Sequence, residues 1–135
     1  MSSILLVQPD PELSESWREA LTGYGHDVLV ATGVLSAVAR AREGGIDVVV
    51  LDSYDGAGGV AELVAELERL PDAPPVVLVS SSPRAPALSV TIGAAGFLMK
   101  PCEPADLVAA VHKITNVSVR HRSDEPTSPM RERDE

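Results

Sequence analysis

Apolar residues along this chain follow two alternating rhythms. Ile4-Leu5-Leu6-Val7 is a short unbroken run and predicts a strand buried on both faces. Leu13, Trp17, Leu21 and Tyr24 then recur at helical spacing, with Asp10 placed to cap and Pro11 suited to a first helical turn. Gly23 and Gly25 mark the end of that helix. Val28-Leu29-Val30 predicts a second strand, and Val34, Ala37, Val38 and Ala41 a second helix stopped by Gly44-Gly45. Ile46 to Leu51 is the strongest strand signal because it is almost entirely β-branched. Val60, Leu63, Val64, Leu67 and Leu70 predict a third helix ending at Pro71, and Val76-Val77-Leu78-Val79 a fourth strand. A weak helix over Ala85–Ile92, a fifth strand at Phe97-Leu98-Met99 and a last helix opening at Pro104 complete the pattern. That last helix carries Leu107, Val111 and Ile114 on one face. The fold class is α/β. A helix between every pair of strands implies a parallel sheet with right-handed crossovers. In such a sheet, function gathers at the carboxyl ends of the strands.

Length and charge narrow the picture. A chain of 135 residues is one ordinary domain. The net charge of −9 repels phosphate backbones and anionic lipid heads, and one Phe, one Trp and two Tyr make a poor base-stacking surface. Neither nucleic acid nor membrane is therefore expected as a partner. Cys102 is the single cysteine, which excludes an internal disulfide framework. No apolar run approaches a membrane span, and Met1-Ser2-Ser3 lacks the basic start of a signal peptide, so the expected location is cytoplasmic. Past residue 118 the apolar pattern stops, and four arginines, five acids and two prolines are interleaved. The expected organisation is a domain over residues 1–118 and a flexible charged tail over 119–135.

The predicted strand ends bring candidate chemistry to one edge. Strand one leads into Gln8-Pro9-Asp10, strand three into Asp52, strand four into Ser80, and strand five into Lys100-Pro101. A carboxylate, a hydroxyl and an ammonium together suit work on a phosphoryl group. Asp52 is the candidate nucleophile, Lys100 a cation for the phosphoryl oxygens, and Ser80 a hydroxyl able to bond one of them.

These residues carry a resemblance. The chain resembles a receiver domain of the bacterial response-regulator (CheY-like) family over about residues 3–116. The matching segments are Ile4–Leu13, Ile46–Asp52, Pro75–Ser81 and Gly93–Pro101, in that order. The resemblance implies a flavodoxin-like (βα)5 three-layer sandwich with strand order 2-1-3-4-5. It implies that Asp52 matches the phosphoacceptor of a two-component phosphorelay, Ser80 the switch hydroxyl, and Lys100 the phosphate-contacting lysine. Phe97 matches the aromatic switch position, though without a hydroxyl it reads more readily as fixed packing. The Lys100–Pro101 bond is expected to be cis. A protein partner, either a histidine kinase or a downstream effector, is implied on the face of helix four, strand five and helix five, near Pro86–Ile92, Phe97 and Asp106–Val111.

The sequence also departs from that family. Its two acids after strand one, which hold Mg²⁺, are replaced by Gln8, which offers one neutral carbonyl oxygen, and Pro9, which offers no side-chain ligand. Mg²⁺ prefers hard, usually charged oxygens, so its binding is expected to be weak or absent. The residual candidate ligands are Asp52 and Asp10, the latter expected to cap a helix instead. The loop Ser53-Tyr54-Asp55-Gly56-Ala57-Gly58-Gly59 lacks the family's Met-Pro pair, and Asp55 reads as a turn residue. With fewer acids in the pocket, a direct Asp52–Lys100 salt bridge is expected. The resulting expectation is a stand-alone receiver-type signalling protein without an output domain. It would be no enzyme beyond self-catalysed phosphoryl transfer, acting by protein contact in an atypical or phosphorylation-independent way. The alternative is a conventional receiver phosphorylated on Asp52 by a histidine kinase. Cys102 reads as a small half-buried filler, and His26, His112 and His121 read as scattered, with no metal spacing.

Overall fold

The computed structural model describes residues 2–53 and 60–122. Five strands, β1 (Ser3–Val7), β2 (Asp27–Ala31), β3 (Val48–Ser53), β4 (Val76–Ser80) and β5 (Gly96–Met99), alternate with five helices. The helices are α1 (Pro11–Thr22), α2 (Val34–Arg42), α3 (Val60–Glu68), α4 (Ala85–Thr91) and α5 (Pro104–Arg122). The strands form one parallel sheet in the order β2-β1-β3-β4-β5. The architecture is the flavodoxin-like sandwich that the resemblance implied.

Alternation along the central strands splits the core in two. Leu5, Val7, Val49, Leu51 and Leu78 point to one face, where residues of α2, α3 and α4 cover them. Ile4, Leu6, Val48, Val50, Val77 and Val79 point to the other, against Trp17 and Leu21 of α1 and Leu107, Val108 and Val111 of α5. Both faces of β1, β3 and β4 are buried, which is why these strands read as continuous apolar runs.

The element ends differ from the pattern-based expectation in instructive ways. β3 begins at Val48, not Ile46, and runs on through Asp52 to Ser53, which pairs with Ser80. Asp47 lies just before it, where its carboxylate accepts from Ser3 N–H at 2.8 Å and fixes the start of β1. α1 ends at Thr22, so Tyr24 leaves the apolar face and is 65% exposed. Gly25 takes a φ of 90°, a left-handed turn that a side chain would strain, and it delivers His26 to the start of β2. α3 stops at Glu68, short of Leu70, which still packs on the core. α5 runs from Pro104 to Arg122. Residues 123–135, the rest of the expected tail, lie outside the described residues, as does Asp55.

Candidate functional site

The carboxyl end of the sheet assembles Asp52, Gln8 and Lys100. Asp52 is held at the end of β3 by its pairing with Val79 of β4. Gln8 follows β1 directly; its N–H donates to Ala31 O at 2.9 Å, and its side chain is driven inward until the residue is 1% exposed. Lys100 follows β5, where its N–H donates to Ser80 O at 2.9 Å and the Lys100–Pro101 peptide bond is cis.

The side chains meet at one oxygen. Lys100 Nζ donates to Asp52 Oδ2 at 2.8 Å, with the aspartate side chain 2% and the lysine side chain 17% exposed. Gln8 Nε2 donates to the same Oδ2. The salt bridge expected from the sequence is present, and Gln8 joins it. The other oxygen, Asp52 Oδ1, is buried without a hydrogen-bond partner among the described residues. A buried ion pair of this kind gains little net stability, because desolvation offsets most of the Coulomb attraction. Its importance is conditional: removing the cation leaves a buried charge uncompensated.

The orientation of the Gln8 amide follows from its neighbours. Its Oε1 accepts from Asp10 N–H at 3.0 Å, while Nε2 faces the carboxylate. Turned over, the amide would set oxygen against oxygen and donor against donor. Gln8 therefore offers the pocket an N–H, where the sequence reading credited it with an oxygen. Asp10 is committed elsewhere, since its Oδ1 accepts from Glu12 N–H at 2.9 Å and Leu13 N–H at 3.3 Å as the cap of α1. Pro9 offers no side-chain donor atom. The described residues thus present one open carboxylate oxygen, beside an amide donor and an ammonium. That set does not fit Mg²⁺, which needs several acceptor oxygens, and no cluster of three His, Cys, Asp or Glu gathers among the described residues.

Ser80 is fully buried at the end of β4, and its Oγ accepts from Ser82 N–H at 3.0 Å. Ser82 Oγ in turn accepts from Arg84 N–H at 3.1 Å, so the two hydroxyls shape the turn into α4. Phe97 is half-buried against the core face covered by α2, α3 and α4. It also borders a groove of about 680 Å³ between β5 and α5, together with Gly96, Leu98, Ala109, Lys113 and Ile114. Cys102 is half-buried against the α1/α5 side, and burial pushes its thiol up, with Asp106 adding to the effect.

Sequence reasoning missed one pair altogether. His26 and His112, read as scattered, lie with their Nε2 atoms 2.8 Å apart. The available signal was topological: in this strand order α1 and α5 share a sheet face, so the turn after α1 lies beside α5.

Comparison with known proteins agrees with this geometry. Residues 4–112 match the family described as "Response regulator receiver domain". The chain is 32% identical over 130 residues to the DNA-binding response regulator MtrA of Mycolicibacterium smegmatis, a match over 94% of this chain and 54% of that protein. It is 30% identical over 138 residues to the transcriptional regulatory protein CpxR of Klebsiella pneumoniae, over 99% of this chain and 59% of that protein. The chain thus spans a little over half the length of these relatives. In structure it is similar to the Francisella response regulator 1452 receiver domain, with a TM-score of 0.77, 19% identity, and 87% and 99% of the two chains covered. It is also similar to the CheY-like receiver domain protein of Methanospirillum hungatei, with a TM-score of 0.75, 20% identity, and 91% and 98% covered. With the sheet order, the paired Asp52 and Lys100 and the family match in agreement, the chain belongs to the response regulator receiver domains of two-component signalling.

Proposed function

We propose that this receiver domain signals by protein contact in an atypical, phosphorylation-independent way, with its acceptor pocket held shut by its own side chains. The observation that carries this reading is the convergence of Gln8 Nε2 and Lys100 Nζ on Asp52 Oδ2. Phosphoryl transfer to a carboxylate brings anion to anion and relies on positioned positive charge. Lys100 supplies one such charge and already spends it on Asp52. Gln8 adds a neutral donor in place of a metal-holding acid.

The partner is a protein, a histidine kinase or a downstream effector, met in the cytoplasm. The face of α4, β5 and α5 suits it: Val90 is 81% exposed, Met99 lies open, and the β5–α5 groove is mostly apolar. Among the described residues, no helix is long and apolar enough to cross a membrane. A second reading, a conventional acceptor phosphorylated on Asp52, is favoured by the open Asp52 Oδ1, which has a lone pair to offer an incoming phosphorus.

Intact mass after incubation with acetyl phosphate and Mg²⁺ separates the two. The expected result is no mass gain while a working receiver is labelled in parallel. A phosphate-sized gain that disappears in Asp52→Asn would establish the conventional reading.

A further inference from the structure

His26 and His112 are far apart in the chain and meet at the opposite edge of the sheet from Asp52. Ser2 N–H donates to His26 Nδ1 at 3.2 Å. An accepting Nδ1 carries no proton, so the neutral His26 ring carries its proton on Nε2. That proton faces His112 Nε2 at 2.8 Å, which must therefore accept, leaving the His112 proton on Nδ1. One arrangement of two protons satisfies all three ring nitrogens in contact. A further proton on His26 would sit on Nδ1, opposite Ser2 N–H. A further proton on His112 would sit on Nε2, opposite the His26 N–H. Either places two donors face to face.

We propose that the His26–His112 pair is a proton-operated clasp, which fastens α5 to the starts of β1 and β2 while both rings are neutral and opens when either is protonated. The surroundings favour the closed form at neutral pH. His26 is buried and its proton affinity is lowered, first by burial, then by the charge of His112 and of the amino terminus. From the turn after α1, Tyr24 sets its ring edge-on to His112, with centroids 5.2 Å apart and planes at 82°. α1 itself contributes the Leu21 carbonyl, which accepts from His26 N–H at 3.4 Å. The charged neighbours along the chain, Asp27 on β2 and Lys113 on α5, are exposed. Among the described residues no carboxylate forms an ion pair with either ring. A cation would therefore gain no counter-charge at this site. A metal ion is a poorer occupant than a proton. Its binding to both Nε2 atoms would force a proton onto His26 Nδ1 against Ser2 N–H, and no third ligand gathers there among the described residues.

The sign follows by linkage. The folded His26 binds its proton more weakly than the unfolded chain does, so its contribution to stability is complete above the ordinary histidine pKa and is lost as pH falls below it. Long-range ¹⁵N–¹H spectra of the full chain test the clasp directly. At pH 7.5 they are expected to show the Nε2–H form of His26 and the Nδ1–H form of His112. Between pH 7.5 and 5.5, ring titration is expected to move the α5 amides. The same tautomer on both rings, or titration that leaves α5 unmoved, overturns the proposal. His26→Gln keeps an amide donor for His112 but cannot take the proton. The wild-type unfolding constant is expected to rise about three- to tenfold more than the variant's over that pH range. Equal pH dependence overturns the proposal. So does a rise in Tm on adding Zn²⁺ that His26→Gln abolishes, which would make the pair a metal site.

Discussion

The two polar clusters at opposite ends of this sheet are built on opposite principles. At the carboxyl end of the sheet, two donors crowd one oxygen of Asp52 and leave the other without a partner among the described residues. At the amino end, the histidine pair uses each facing lone pair once. The first cluster is charged and has capacity left over. The second is neutral and saturated. A saturated cluster can respond only by breaking. A cluster with an open acceptor oxygen can take on one further donor without losing the contacts it already has.

The contrast predicts unequal responses to substitution. The largest is expected from Lys100→Met, which strands the buried Asp52 charge and destabilises the fold by about 3–5 kcal/mol. Urea unfolding measures this. Adding Asp52→Asn to the same chain is expected to restore much of the loss, and failure to do so would mean that Lys100 contributes mainly through packing.

A middle-sized effect is expected from Gln8→Asp combined with Pro9→Asp. The wild-type melting temperature is expected to ignore millimolar Mg²⁺. The double variant is expected to gain about 1.4 kcal/mol of stability at a free Mg²⁺ concentration near ten times its Kd. An unresponsive double variant would place the fault elsewhere in the pocket.

The smallest effect belongs to Asp10→Ala. Losing the cap is expected to cost about 1 kcal/mol, with no change in the response of the double variant to Mg²⁺. A lost response would show that Asp10 serves the pocket as well as the helix.

Much of the fold was legible because its signals are local. The runs Ile4–Val7 and Val76–Val79 are buried on both sides of a parallel sheet, and such strands need no alternation to be recognised. The Asp10 cap was legible for the same reason, as a short acid directly before a helical proline. The pairing of Asp52 with Lys100 was legible only through strand order, since 48 positions separate them. Three features escaped for physical reasons. Tyr24 kept helical spacing past the point where Gly23 and Gly25 turn the chain, so the periodicity outlived the helix. Gln8 was read by its oxygen, yet the Asp10 N–H claims that oxygen and turns the amide's donor inward. His26 and His112 sit 86 positions apart, and no local pattern marks a pair that only the packing of α5 brings together.

The two-ended use of the Gln8 amide also ties two parts of the domain together. One end holds Asp52 and the other holds the backbone that enters α1. An aspartate at position 8 alone would shorten the side chain, remove the donor to Asp52 and add a second negative charge beside it. Position 8 is therefore a joint between the pocket and the first helix, and a single exchange there is felt at both ends.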